Sequence, residues 1–161
     1  MLKLAFTGTR AGLKPMQFAK LTHVLQAVTT SQGEVEWHDG DCIGADKEAH
    51  DIVMQIKRDW ATRTPTRTLR MIGHPGNMDS FRAGSVFDEL RDPKDNIERN
   101  HDMVDESEVL VACPAGMDEE RRSGTWSTIR YAQSKIKGGA DMVIMFVWPD
   151  GTLTWKGKHH E

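Results

Sequence analysis

Residues 34–46 read EVEWHDGDCIGAD, and this stretch decides the fold. Glu34 to His38 reads as a strand, and the glycine-bearing turn Asp39 to Gly44 leads straight into a helix. Ala45, Ala49, Ile52, Val53, Ile56 and Trp60 share one face of that helix, and Thr64-Pro65 closes it. Gly40, Gly44 and the small Ala45 let backbone N–H groups at the turn cradle an anion. Asp46 falls in the first helical turn, where its charge complements the helix dipole, so capping competes with ligand contact as its role. Asp39 and Asp41 offer carboxylates that can accept hydrogen bonds from ribose hydroxyls.

The same strand–turn–helix unit recurs on either side. Leu2 to Phe6 is a strand ending in Thr7-Gly8-Thr9-Arg10. A helix follows from Pro15, with Phe18, Leu21, Leu25 and Val28 at helical spacing and Gly33 past its end. A third strand, Thr68 to Ile72, ends at Gly73-His74-Pro75-Gly76, and Asn77 to Arg91 is irregular, with Phe81, Val86, Phe87 and Leu90 as its packing residues. Asp92-Pro93 reads as the N-cap and first position of a helix reaching about Glu106, on which Ile97 and Val104 mark the buried stripe. Val109 to Ala112 is continuously apolar, as a parallel strand covered on both faces should be. After the loop Cys113 to Ser123, Ser123-Gly124-Thr125 opens a helix to Lys137 with Trp126, Ile129, Ala132 and Ile136 facing inward. Met142 to Trp148 then turns at Pro149-Asp150-Gly151 into Thr152 to Trp155, an edge hairpin whose Trp148 and Trp155 offer aromatic surface.

This alternation predicts a Rossmann-like α/β fold: a doubly wound, mostly parallel five-stranded sheet with helices on both faces and a C-terminal edge hairpin. One domain spans residues 1–156 and a polar tail follows at 157–161, including His159-His160. The 21 basic against 24 acidic residues give a net charge of −3, which argues against nucleic acid as a partner despite a local stripe of Arg63, Arg67 and Arg70. Cys42 and Cys113 form no CxxC, so neither a disulfide scaffold nor a thiolate zinc site is expected, and a reducing cytoplasm fits. No apolar run approaches the roughly 20 residues that span a bilayer, and Met1 to Phe6 is too short to be expected as a signal peptide.

In doubly wound sheets ligands bind beyond the carboxyl ends of the strands, which is where the polar turns fall. Thr7-Gly8-Thr9-Arg10 has too few glycines for a dinucleotide fingerprint, but Gly8 and Thr9 allow close backbone approach and Arg10 can fork onto a phosphate. Ser123-Gly124-Thr125 is either a phosphate cup or an ordinary N-cap. Arg99, with Asn100 beside it, either stands at a cleft wall or faces solvent. His74, before Pro75, either contacts a base or sugar or is satisfied by backbone. Histidines 23, 38, 50, 74 and 101 show no HExxH spacing, and neither G-x-S-x-G nor a Walker A motif is present. Zinc hydrolase, serine hydrolase and kinase chemistries drop out, and no metal or cofactor is expected.

Read in order, these pieces resemble the SLOG superfamily, the Rossmann-like group that includes Lonely Guy phosphoribohydrolases, DNA-processing protein A and the YpsA-like proteins, the last being the nearest in look. The resemblance spans about residues 2 to 147. It rests on Thr7-Gly8-Thr9-Arg10, His38-Asp39-Gly40 with Gly44-Ala45-Asp46, His74-Pro75, Arg99-Asn100 with Met103, the Val109–Ala112 strand with Pro114, and Ser123-Gly124-Thr125. It implies a pocket for a nucleotide or nucleotide-derived ligand and a homo-oligomer, a dimer or larger. Arg99 and Met103 match the R-x-x-x-M helix of Lonely Guy enzymes, and Gly124-Thr125 match the GT of their PGGxGTxxE phosphate motif. Arg122-Ser123 replace its double glycine, however, and Thr128 stands where the catalytic glutamate should be.

Glycosidic cleavage needs a carboxylate to stabilise developing cation or activate water, and Thr128 cannot supply one. The first expectation is therefore binding of a nucleotide-type small molecule, for sensing or sequestration. The alternative is a nucleoside-monophosphate N-glycosidase using Arg99 with a relocated Glu119 or Glu120. Single-stranded DNA binding ranks third.

Overall fold

A computed structural model describes residues 1–157; Lys158 to Glu161, and with them the His159-His160 end of the expected tail, lie outside the described residues. In chain order the elements are β1 (Leu2–Gly8), α1 (Pro15–Thr30), β2 (Glu34–Asp39), α2 (Ala45–Arg63), β3 (Thr68–Gly73), β4 (Glu89–Leu90), α3 (Asn96–Asp105), β5 (Val109–Cys113), α4 (Gly124–Lys137), β6 (Val143–Val147) and β7 (Leu153–Gly157). The sheet order is β4-β3-β2-β1-β5-β6-β7, with every neighbour parallel except the β6–β7 hairpin.

Strand periodicity sorts the core into two layers, because successive side chains leave a strand on opposite faces. Leu4 and Phe6 of β1 join Trp37, Met71 and Val111 beneath α1 and α2. Ala5, between them, joins Leu110, Ala112 and Ile144 beneath α3 and α4. The chain winds outward from β1 to β4, then returns to place β5 on the other side of β1. The cleft between β1 and β5 is the switch point of the sheet.

Several local expectations change. The irregular stretch contributes a short parallel strand, β4, paired with β3 through Ile72 and Gly73, so six strands run parallel. Its Phe87 packs on the core, but Val86 and Leu90 are exposed. The third helix starts at Asn96, capped by Asp95, whose carboxylate accepts from Ile97 N at 3.3 Å. Asp92-Pro93 cannot begin it because the chain there is still extended: Lys94 N donates to Pro75 O at 3.2 Å and pairs beside Gly76.

That helix buries Arg99, Met103 and Val104, whereas Ile97 is exposed. On α1, Phe18 is exposed and Gln17 is fully buried. Gln17 Nε2 donates to Pro114 O at 3.0 Å and Val147 O at 2.8 Å, tying the helix start to the ends of β5 and β6. At the far edge Trp148 stacks on Phe146 and donates to Thr154 Oγ1 at 2.8 Å, and Gly157 belongs to β7, opposite Val143.

Candidate functional site

Two strand-to-helix turns are pressed together at the carboxyl edge. Ala45 N donates to Thr9 O at 3.0 Å, and Gly44 has a φ of +87°. A Cβ on Gly44 would lie 2.2 Å from Arg10 O, so only glycine lets the first turn rest on the second. Asp41, with a φ of 52°, takes the other left-handed position. Its carboxylate accepts from Ser85 N at 2.9 Å and Arg82 Nε at 3.3 Å, which pins the irregular stretch onto the turn.

Beside these turns a cleft of about 490 Å³ opens over the β1–β5 switch point. Its floor is the end of β1 at Gly8; one wall is α3, through Arg99, Asn100 and Met103. The other wall is Ser123-Gly124-Thr125 at the start of α4. Ser123 caps that helix by accepting from Trp126 N at 3.2 Å. The N–H groups of Gly124 and Thr125, at the first two helical positions, have no partner within the helix and project from its end. Gly124 is exposed, and a Cβ there meets nothing within 4 Å.

Three arginines border the cleft. Arg10 lies over the Phe81 ring at 3.9 Å, and Arg122 is exposed one residue before the Ser123 cap. Arg99 is buried and crosses between turns: its Nη1 donates to Gly40 O at 3.0 Å and His74 O at 3.1 Å, its Nη2 to Asn96 Oδ1 at 3.3 Å. Arg99 Nε is buried without a partner. Facing them is Asp46, whose Oδ2 accepts from Gly40 N at 3.1 Å and Cys42 N at 3.3 Å. Burial first, then the charge of Asp39, push the Asp46 carboxyl up to about 7, against the opposing pull of Arg99. Burial, then Asp46, likewise push the Cys42 thiol up to about 11.

Of the residues singled out in the sequence, Gly8, Thr9, Arg10, Asp46, Arg99, Asn100, Ser123, Gly124 and Thr125 all border this cleft. Asp39 and Asp41 do not. Asp39 Oδ2 accepts from Trp37 Nε1 at 2.8 Å and meets His50 Nδ1 at 2.8 Å, while Oδ1 accepts from Asp41 N at 2.9 Å. Both carboxylates are turned into the protein, holding the turn rather than facing the cleft. Gly40 and Gly44 serve backbone packing, since a Cβ on Gly40 would stand 2.5 Å from Arg99 Nη1. His74 and Pro75 line a second cavity of about 200 Å³, which shares Arg99 with the first. Pro114 is buried and gives its carbonyl to Gln17.

Glu120 borders the main cleft, whereas Glu119 pairs with Arg130 at 2.9 Å. Thr128 is buried and donates to Gly124 O at 3.0 Å. Arg122 is the cleft cation that motif matching passes over, although its place just before a helix cap marks it in the sequence. Arg67 and Arg70 lie elsewhere, over Trp60 and beside Glu89. Among the described residues no helix is long and apolar enough to cross a membrane.

Strand order, crossover helices and a cleft at the switch point define a Rossmann-like α/β protein. Solved structures share that fold, among them the two that follow. The molybdenum cofactor binding protein from the phototrophic bacterium Rippkaea orientalis superimposes with a TM-score of 0.64 at 15% identity, over 91% of this chain and 76% of that one. TM1055, a structural genomics target, gives 0.54 at 13% identity, over 84% and 70%. No protein-family model matches the chain, and no curated protein sequence matches it.

Proposed function

We propose that the chain is a SLOG-type binder of a nucleotide or nucleotide-derived small molecule, with the phosphate at the start of α4. The observation that carries this reading is the convergence of the free Gly124 and Thr125 amides with Arg10, Arg99 and Arg122 on one cleft. Amides at a helix start favour an anion through their partial positive charge, and a glycine there admits it to the backbone. The α3 wall and the β1 floor bound the remaining volume, where a base and sugar fit. The Rippkaea orientalis protein, whose name gives a cofactor as its ligand, supports the same use of the fold.

Binding is the better reading than cleavage because Thr128 carries no charge and Glu120 stands on the exposed rim. The resemblance also brings an oligomer, which analytical ultracentrifugation checks.

Calorimetry with matched pairs of nucleoside and nucleoside 5′-monophosphate tests the proposal. The phosphorylated partner binds at least about tenfold more tightly, a difference of about 1.4 kcal/mol, and Arg122→Ala narrows the preference. Equal affinity for both members of every pair, or no heat with either, overturns it. Native mass spectrometry of the same mixtures distinguishes retained ligand from released base, and released base favours the glycosidase.

A further inference from the structure

Beyond Arg99, on the side of the smaller cavity, three side chains from distant parts of the sequence bring ligating atoms together. His38 lies on β2, His74 follows β3, and Glu106 caps the end of α3. The β2–β3 register sets Asp39 against Gly73, and His74 N donates to Asp39 O at 2.9 Å, so the two histidines sit side by side. His38 Nδ1 and His74 Nε2 are 2.8 Å apart, and His74 Nε2 is 3.5 Å from Glu106 Oε2. All three ligating atoms lie within 4.8 Å of one another. Donors bound to one first-row ion at about 2.0–2.2 Å stand about 2.8–3.6 Å apart at octahedral or tetrahedral angles. The two shorter separations lie at that spacing.

The surroundings orient two of the three donors. His38 Nε2 is 2.7 Å from Glu36 Oε1, which holds the proton on Nε2 and leaves the lone pair on Nδ1. Glu106 Oε1 accepts from Arg91 Nη2 at 2.8 Å, which leaves Oε2 turned to His74. Outer carboxylates that fix a histidine's tautomer in this way are the usual support of a metal ligand. Both histidines are buried, while Glu106 is about one third exposed at 35%, beside the cavity of about 200 Å³. An ion therefore has a way in and room for water. Two of the three basic groups lining that cavity are paired with carboxylates, Arg91 with Glu106 and Lys94 with Asp102 at 2.7 Å, and Arg99 donates to backbone carbonyls.

We propose that His38 Nδ1, His74 Nε2 and Glu106 Oε2 bind a divalent first-row transition ion of the Zn²⁺ class, with water completing its shell. Two imidazoles and a carboxylate suit Zn²⁺, Co²⁺ or Ni²⁺, whereas Mg²⁺ and Ca²⁺ call for an all-oxygen set. The site stands independently of the nucleotide reading.

The test strips the full-length chain with a chelator and titrates it with Co²⁺, following visible d–d absorption, then displaces the cobalt with Zn²⁺. One equivalent of Co²⁺ per chain develops the bands, and one equivalent of Zn²⁺ removes them. Glu106→Gln and Glu36→Gln weaken binding by about 10- to 100-fold, and His74→Gln abolishes it. Glu106 is partly exposed, so Glu106→Gln keeps the fold, as circular dichroism verifies. Because His159-His160 can also hold an ion, the titration is repeated on the full-length His159→Ala/His160→Ala variant. The bands persist there. Bands lost in that variant, bands unchanged by Glu106→Gln and His74→Gln in folded protein, or no bands in the wild type overturn the proposal.

Discussion

Arg99 Nη1 donates to the carbonyl of Gly40 at 3.0 Å, and a methyl group at Gly40 would stand 2.5 Å from the same nitrogen. The contact exists because residue 40 has no side chain. It joins α3 to the turn after β2, and the second bond, to His74 O, extends the link to the end of β3. One guanidinium therefore ties two strand-end segments to α3 and also walls the cleft.

Arg99→Ala is expected to lose both stability and ligand binding. It strands the Gly40 and His74 carbonyls, and an unsatisfied buried acceptor costs about 1–3 kcal/mol. Urea unfolding should show a loss of about 3 kcal/mol. Arg122→Ala, by contrast, removes an exposed side chain, so only binding should fall.

Gly44→Ala tests the contact between the two turns. At a φ of +87° and 2.2 Å from Arg10 O, the new methyl forces the turns apart. The variant is expected to lose about 2 kcal/mol or more, read from thermal melting. Ligand affinity should fall with it, because Arg10 moves.

Gln17→Leu matches the buried volume but removes three hydrogen bonds, those to Pro114 O and Val147 O and the one accepted from Lys14 N. A loss of about 2–3 kcal/mol is expected in chemical denaturation. Little loss would show that water replaces the amide.

Asp46 gives the pH dependence. Its carboxyl, facing Asp39 from β2 and Arg99 from α3, is raised in the folded protein to about 7 from an ordinary value of 3.8. The folded state thus holds this proton more tightly than the unfolded chain does. The associated stability is complete below about pH 4 and is lost as pH rises to about 7. Asp46→Asn cannot titrate, so the wild-type stability should fall relative to this variant across that window and run parallel above it. Parallel curves throughout would remove the shift.

Gly124→Asp separates binding from stability. A carboxylate at the first helical position complements the dipole and should raise stability by about 0.3–1 kcal/mol. The same charge occupies the open face at Gly124, where nothing lies within 4 Å, and should weaken nucleotide binding at least about tenfold.

Much of this architecture is legible in the chain because its signals are local. The apolar face of α2, the continuous β5 and the Ser123 cap each depend on residues a few positions apart. Elements set by distant pairing are not legible in that way. Strand β4 is two residues long and exists through β3, and α3 starts late because Lys94 is held by Pro75. Phe18 and Ile97 have the hydrophobicity of core residues, yet both are exposed, and the buried polar Gln17 and Arg99 replace them at the packed faces.

By itself the sequence determined the alternating α/β plan and which turns stand at strand ends, since periodicity, glycine placement and capping act over a single turn or strand. Only tertiary structure decided which way the side chains in those turns point. Asp39 and Asp41 turn inward because buried N–H groups and histidine need acceptors, and that demand comes from residues brought near by folding. The meeting of His38, His74 and Glu106 has the same origin: β-sheet register and the end of one helix unite positions whose spacing along the chain carries no pattern.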